Sequence, residues 1–278
     1  MKHKILLFAA LLTIAGACSK EKPAEQAAEL YPVRFNLSGL GVEYGEMTKA
    51  TTCPASFIKY LIFQNNAVIA EKTIEITKDE DLSPEIYIPS GDSKVCFAAG
   101  GEGVTSADAF SLSQYGNEVR LTGDYVELFA AVADVNPGNN TAYDVELKRV
   151  TGAIQLVILD YDKAPAGAGA SSFSVTFNKK PAYYSVLTGG SGETSYTTGM
   201  TAAGTISAGT GTIHALPVSE QNLTIKVSNS TGVINTYNVT AAIYPNRKTI
   251  IKGNVYGGTP NFSITIAEGW GENNEVVF

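Results

Sequence analysis

Short runs of β-branched, aromatic and aliphatic residues follow one another along the chain from about residue 31 onward. Apolar and polar residues alternate within many of these runs, which is the pattern of a strand that buries one face. Turn-forming sequences separate several of them, such as Gln64-Asn65-Asn66-Ala67 and Ser230-Thr231-Gly232. The chain has 27 Gly but 3 Met and 1 Trp, a composition that also favours strands and turns. We therefore predict an all-β fold built from consecutive β-sandwich domains.

The predicted elements are almost all strands. A short helical turn is expected at 106–115, and the Gly-, Ser- and Thr-rich stretch 188–211 is expected to be a long surface loop or weak strands. The strands are predicted at 31–40, 57–63, 68–76, 85–88, 94–99, 125–132, 143–147, 153–159, 172–178, 182–187, 211–216, 223–228, 233–241, 249–256 and 261–267.

The composition divides the chain into two domains, and 278 residues is a suitable length for two. A stretch rich in Pro, Gly and Ala at 160–171 has the character of a linker. We expect an N-terminal β-sandwich at 31–159 and a C-terminal β-sandwich at 171–278. The polar, proline-containing stretch 18–30 is expected to be a flexible tether ahead of the first strand.

The first residues have the pattern of an export signal. Residues 1–17 are predicted to be a signal peptide that begins with the basic residues Lys2 and Lys4. The apolar run that follows them is shorter than the roughly 20 residues of a transmembrane helix. The small residues that end it, together with Cys18, resemble a bacterial lipobox. The resemblance implies cleavage before Cys18 and acylation of its thiol, for example with palmitate, which would anchor a surface-exposed lipoprotein in the outer membrane. The alternative is an ordinary signal peptide with a chance cysteine.

Charge and residue inventory argue against several classes of function. Acidic residues outnumber basic ones 27 to 20, for a net charge of −7, so no nucleic-acid partner is expected. His214 is the one histidine beyond the signal peptide, and we expect it to be structural because a usual zinc site needs more ligands. The acids of 79–81 and 160–162 could serve a calcium ion, but solvated loop residues are the preferred interpretation. We predict a protein that is not an enzyme and has no catalytic residue, metal or cofactor.

Cys53 and Cys96 are the two cysteines that remain in an exported, oxidising setting. A disulfide between them would close a loop of about 43 residues, which the chain-entropy model values at roughly 4 kcal/mol. Cys96 lies in an apolar run that is predicted to be a strand, so a buried free thiol is the alternative.

Four parts of the chain together carry a resemblance to a known family. They are the lipobox start, the opening strand with Thr48-Lys49-Ala50-Thr51 behind it, the mid-chain run 143–160, and the run 244–257 with a short strand and Trp270 after it. In these features the chain resembles the fimbrillins, the lipoprotein-derived (type V) pilins of Gram-negative surfaces. The resemblance covers nearly the whole mature chain. It implies two transthyretin-like β-sandwich domains and a fimbrial subunit that supports cell adhesion.

The resemblance also implies assembly by strand exchange with other fimbrial subunits. In this family a trypsin-like protease cuts after a basic residue beyond the first strand, and a strand of the next subunit fills the groove that is left. The removable strand would be the first one, with Val33, Phe35 and Leu37 on one face, and the basic residue would be Lys49. Physically this is β-augmentation, in which main-chain hydrogen bonds pair the added strand. A strand fixed centrally between two neighbours would contradict this expectation.

Other roles remain open from the sequence. A lysine at position 49, where arginine is usual in the family, also suits a solvated loop, and the chain would then be an uncleaved fimbrial anchor. Val276, Val277 and Phe278 form an apolar segment that could pack on its own domain or act as a donor strand in a neighbour. A lipid-anchored glycan-binding module is a further alternative, with Trp270 and Tyr184 as contact residues. Apart from the other subunits and the membrane, a host or bacterial surface receptor is a candidate partner.

Overall fold

The computed structural model describes residues 29–40, 55–101, 104–257 and 262–268. These residues form eighteen strands and three short 3-10 turns, so the predicted all-β fold is confirmed. Within them no helix has the length and apolarity needed to cross a membrane. The strands are β1 (Leu30–Ser38), β2 (Phe57–Gln64), β3 (Ala67–Glu75), β4 (Glu85–Pro89), β5 (Ser93–Gly100), β6 (Phe110–Tyr115), β7 (Glu118–Gly123), β8 (Leu128–Val135), β9 (Ala142–Glu146), β10 (Lys148–Arg149), β11 (Gly152–Ile158), β12 (Ser172–Ser185), β13 (Gly190–Thr205), β14 (Thr210–Ala215), β15 (Val218–Asn229), β16 (Gly232–Ile243), β17 (Arg247–Gly253) and β18 (Phe262–Glu268).

The first sandwich packs a three-stranded sheet, in the order β4-β1-β9, against a five-stranded sheet, in the order β10-β8-β5-β2-β3. Alternate residues of each strand face the opposite sheet and form a common core between the two. The five-stranded sheet is antiparallel throughout, and β1 is antiparallel to β4 but parallel to β9. The largest fully buried side chains of this core are Phe35, Ile58, Ile62, Ile88, Phe97, Phe129 and Leu147.

The β2–β3 hairpin forms at the predicted turn. Gln64 pairs with Ala67, and the two residues between them, Asn65 and Asn66, have φ values of 52° and 62°. Asparagine enters this left-handed region more readily than most residues, and a two-residue turn with positive φ at both positions matches the twist of the strands it joins. The local sequence therefore specifies this turn without help from distant residues.

The second sandwich packs the sheet β14-β11-β17-β18 against the sheet β16-β15-β12-β7-β6. The long strand β13 pairs with β12 on the side away from β15 and β7. Aromatic and aliphatic residues from both sheets fill the space between them. Fully buried members include Phe173, Phe177, Leu223, Ile225, Ile154, Leu156 and Ile251.

A third apolar cluster joins the two sandwiches, and we call it the junction cluster. It lies on the outer face of the β8-β5-β2 sheet, which the β6–β7 hairpin covers. That hairpin is hydrogen-bonded to β12, so it belongs to a sheet of the second sandwich while it packs on the five-stranded sheet of the first. The buried members of the cluster are Leu61, Phe63, Cys96, Ala98, Val104, Phe110, Leu112, Val119, Leu121, Leu128, Ala130, Val150, Val186 and Leu216.

The sheets do not divide where the sequence suggested. The run predicted to close the first domain, 153–159, is β11, which pairs with β14 and with β17 in the second sandwich. The β6–β7 hairpin, from the middle of the expected first domain, also extends a sheet of the second sandwich. Strand pairing depends on residues far apart in the chain, so a linker-like composition at 160–171 does not reveal which sheet the preceding strand joins.

Two local expectations need correction. In the predicted helical turn 106–115, the helical part is limited to Ala107–Ala109, and Phe110–Tyr115 form β6. The turn begins at Ser106, whose Oγ accepts a hydrogen bond from Asp108 N at 3.2 Å. Of the two alternatives for 188–211, the surface loop is wrong and a strand is present, since Gly190–Thr205 form β13, the longest strand described. Pairing with β12 over nearly its whole length stabilises this glycine- and threonine-rich strand, and such support from a partner is invisible in its own composition.

Asp160 holds the segment that follows β17 in place through hydrogen bonds to its backbone. Its buried carboxylate, 2% exposed, accepts hydrogen bonds from the backbone N–H groups of Val255, Tyr256 and Gly257 at 2.7, 2.9 and 2.8 Å. Burial acts to raise the pKa of Asp160, but these three bonds to the charged form outweigh it and hold the pKa below its ordinary value. The expectation of a solvated loop acid is therefore wrong for Asp160.

Replacing Asp160 by asparagine should lower the free energy of unfolding at pH 7 by about 2 kcal/mol, because an amide cannot accept all three bonds as well as a carboxylate. The lowered pKa means that the carboxylate stabilises the fold above the ordinary aspartate pKa of about 4, and that this contribution is lost as the pH falls through the lower, folded-state value. Urea unfolding followed by circular dichroism should show a gap between wild type and Asp160→Asn that narrows towards pH 3.

The control is Asp162→Asn, an exposed acid two residues away, which should change the unfolding free energy by less than about 0.5 kcal/mol. Equal effects of the two substitutions, or a gap independent of pH, would contradict the role assigned to Asp160.

Candidate functional site

The strand β1 presents a strictly alternating pattern. Val33, Phe35 and Leu37 are buried in the core of the first sandwich, and Arg34 and Asn36 between them are exposed. The three apolar residues thus share one face, as their spacing predicts for a strand. Whether the strand can be removed stays a prediction.

Phe35 is the centre of this face. Its ring lies edge-on to Phe97 of β5, with 5.2 Å between ring centroids, and stacks on Tyr143 of β9 at 5.8 Å. One side chain of β1 thus connects both sheets of the sandwich. Full burial of a Val, Leu or Phe side chain contributes about 1.5–3 kcal/mol, so the three residues together contribute roughly 5–9 kcal/mol, as much as the whole stability of many domains.

The backbone of β1 is paired on both sides, but its two neighbours cover different halves. β4 pairs with Leu30–Arg34, and β9 pairs with Arg34–Ser38. One further hydrogen bond, from Phe35 N to Pro84 O at 3.0 Å, extends the β4 side. β1 therefore lies centrally in its sheet, against the expectation for a removable strand. Among the described residues, however, Arg34 is the one position of β1 that is paired in register with both β4 and β9.

The end of β1 is held closely. Gly39 has φ of +80°, and a Cβ at this position would lie 2.3 Å from the carbonyl oxygen of Leu147, so a larger residue would strain both the conformation and the contact. Leu40, the next residue, is buried in the same core. Release of β1 would therefore also have to extract Leu40.

Most other residues singled out from the sequence lie outside the described part of the chain. These are Cys18, Lys49, Cys53, Trp270, Val276, Val277 and Phe278. Lipidation at Cys18, cleavage after Lys49 and the donor role of the last three therefore stay predictions.

Cys96 lies in β5, fully buried in the junction cluster. Burial raises the pKa of its thiol to about 12, so it is protonated and unreactive at neutral pH. Its predicted bridge to Cys53 stays a prediction, because Cys53 is not described.

Tyr184 and His214 lie in different strands of the second sandwich. Tyr184 lies in β12, half-buried against the junction cluster, and burial raises its pKa. His214 lies in β14 opposite Ala153. In the described ranges, no three His, Cys, Asp or Glu side chains are grouped as metal ligands.

A buried ion pair at the junction of the sandwiches was not found from the sequence. Arg149 Nε donates to Glu127 Oε1 at 2.7 Å, and the two side chains are 7% and 3% exposed. Arg149 Nη1 also donates to Asn246 Oδ1 at 2.9 Å, which links β10 to the turn before β17. Pairing and hydrogen bonding offset the cost of burying both charges, so this group fixes the junction rather than offering a reactive site. No local signal identifies such a pair, because its members are 22 residues apart.

A family model described as "Family of unknown function (DUF6562)" matches residues 108–277. The matched region begins just before β6 and includes every strand of the second sandwich. No curated protein sequence matches the chain.

Solved structures share the fold at low sequence identity. A candidate cell adhesion protein from Bacteroides uniformis is 14% identical, with a TM-score of 0.54 over 87% of this chain and 99% of that one. A candidate polysaccharide-binding protein from Bacteroides thetaiotaomicron is 10% identical, with a TM-score of 0.50 over 84% and 95%. The tip fimbrial protein Mfa3 from Porphyromonas gingivalis is 9% identical, with a TM-score of 0.45 over 84% and 99%. The first two similarities establish a shared two-sandwich architecture.

The Phe35→Ala substitution should lower the free energy of unfolding by about 3–5 kcal/mol, because it removes a buried ring that contacts both sheets and leaves a cavity. Urea unfolding measured by circular dichroism tests this expectation. The matched control is Ser38→Ala, an exposed residue of the same strand, for which a change below about 0.5 kcal/mol is expected. A loss below 1 kcal/mol for Phe35→Ala would show that β1 is not needed to complete the core.

Proposed function

The chain belongs to the DUF6562 family of unknown function, and for this member we propose the role of a non-enzymatic bacterial surface fimbrial subunit that assembles by strand exchange. The observation that carries the proposal is β1, whose apolar face completes the first sandwich while each of its neighbours pairs with half of its length. The same strand is thus essential for the core and incompletely held by the sheet.

Loss of β1 would create an acceptor for another strand. The edges of β4 and β9 would be left with unpaired N–H and C=O groups, and the pockets of Val33, Phe35 and Leu37 would open between them. A strand from another subunit with apolar residues at alternate positions could restore both the hydrogen bonds and the buried area. The energy regained, roughly 5–9 kcal/mol from side chains alone, would make the association stable.

Location and attachment complete the proposal. The predicted signal peptide and Cys18 support export and lipid anchoring in the outer membrane, with the sandwiches exposed on the cell surface. The Bacteroides uniformis protein that shares the fold is a candidate cell adhesion protein, which supports a role in adhesion.

An uncleaved fimbrial anchor is the second candidate. The central position of β1 and the close contact of Gly39 with Leu147 favour it, because both oppose release of the strand. Such a subunit would keep β1 and would end or anchor a fibre through another edge.

Digestion with a lysine-specific protease separates the two candidates. In the mature chain, residues 18–278, cleavage after Lys49 should give a new N-terminus at Ala50 and a ladder of oligomers on gels run without boiling. The Lys49→Gln variant should lack both, and the control Lys72→Gln, on the exposed strand β3, should behave as wild type. A cleaved protein that keeps its N-terminal fragment and stays monomeric would contradict strand exchange and support the anchor.

A synthetic peptide of residues 29–40 provides a test of mechanism. Added in excess during digestion, it should reoccupy the groove and suppress the ladder, because it carries Val33, Phe35 and Leu37. The same peptide with Phe35→Asp should have no effect, since a carboxylate would be buried without a partner. Equal action of both peptides would show that the groove is not the site of assembly.

A further inference from the structure

A second incomplete strand edge lies on β8, in the sheet to which β1 does not belong. On one side β8 is paired with β5 along its whole length, from Leu128 to Val135. On the other side its pairing to β10 covers Phe129 and Ala130, and no described strand pairs with Ala131–Val135. In a strand, every second residue directs its N–H and C=O groups towards such an open edge. An unpaired edge of this kind is a template for an added strand.

A cleft of about 580 Å³ runs along this edge. Its inner surface includes the small side chains of Ala131 and Ala133, with Tyr143 and Val145 of β9 on one side. On the other side are Val186 and the residues after it, at the tip of the β12–β13 hairpin. Small residues beside the edge leave room for the side chains of an additional strand. The flanking walls favour one extended segment over the edge of a second intact sheet.

The charges around the cleft select the kind of segment. Asp134, Asp144 and Glu146 line it, against Lys148 as the one lysine or arginine in the lining. Asp134 is already paired with Lys94, and Asp144 accepts a hydrogen bond from Asn36 at 2.7 Å. The adjoining cleft, of about 450 Å³, adds Asp92 and shares Asp134 and Tyr143. An acidic surface attracts cationic side chains and disfavours anionic ones.

We infer that the open edge of β8 binds a single extended, basic segment of a partner protein as an added antiparallel or parallel strand. Small or apolar side chains at alternate positions of the segment pack against Ala131 and Ala133, and lysine or arginine side chains reach the carboxylates at the rim. This site is complete while β1 remains in place, so it does not depend on the strand exchange proposed above.

Two synthetic heptapeptides test the site on the mature chain, residues 18–278, with β1 intact. In one, valine alternates with lysine, and in the other glutamate replaces each lysine. Fluorescence anisotropy at low salt should give at least tenfold tighter binding for the lysine peptide, and the preference should shrink as salt increases. Leu128 faces the β10 side, since its C=O accepts a hydrogen bond from Val150 N, so by alternation the N–H groups of Val132 and Asp134 face the open edge. Hydrogen exchange should show new protection of these two amides when the lysine peptide is bound.

Matched variants locate the binding. Ala131→Trp fills the cleft and should weaken binding of the lysine peptide at least tenfold, whereas Ala70→Trp, on the exposed edge strand β3 of the same sheet, should leave it unchanged. In case the large residue disturbs the fold, Glu146→Lys changes charge alone at an exposed position and should weaken binding at least threefold. Its control is Glu71→Lys on β3.

Equal binding of the two peptides, no binding of either, or binding unaffected by the cleft variants would overturn the inference. So would protection of the Val132 and Asp134 amides in the free protein, because another part of the chain would then occupy the edge.

Discussion

The structure depends on one strand, β5, that is buried on both faces. Val95, Phe97 and Ala99 point into the core of the first sandwich, and Cys96 and Ala98 point into the junction cluster. A sheet with two apolar faces must be covered twice to remove both from water. The strands β4, β1 and β9 cover one face, and the β6–β7 hairpin covers the other. This requirement joins the two sandwiches, because the covering hairpin is hydrogen-bonded to β12.

The same requirement explains why the first sandwich has incomplete edges. The covering sheet has three strands and the sheet that it covers has five, so β1 supplies a large share of the apolar cover. Its neighbours β4 and β9 pair with different halves of β1, and both pair with it at Arg34. In the larger sheet, β10 is two residues long, so among the described strands the edge of β8 is paired only at Phe129 and Ala130. Incomplete edges are a liability in most proteins and a means of association in proteins that assemble through strands.

The sequence was informative wherever structure follows from neighbouring residues. The alternation around Phe35 predicted the buried face of β1, and Asn65 with Asn66 predicted the turn of a hairpin. The sequence was uninformative where a strand pairs with strands that are distant along the chain. The assignment of β11 to the first domain was overturned because its partners β14 and β17 lie far along the chain. For 188–211 the sequence left a surface loop and weak strands open, and pairing with β12 makes this segment a strand. Asp160 and the Arg149–Glu127 pair were missed for the same reason, since burial of a charge is a property of the packed structure.

By itself the sequence therefore determined the all-β class and the faces of individual strands such as β1. Periodicity and turn chemistry act over a few residues, so they can be recognised in an isolated segment. The tertiary structure alone decided which sheet each strand joins, that β1 lies between β4 and β9, and that no strand of the described residues pairs with Ala131–Val135 on the outer edge of β8. Those properties depend on contacts between residues distant along the chain, which no short stretch of sequence contains.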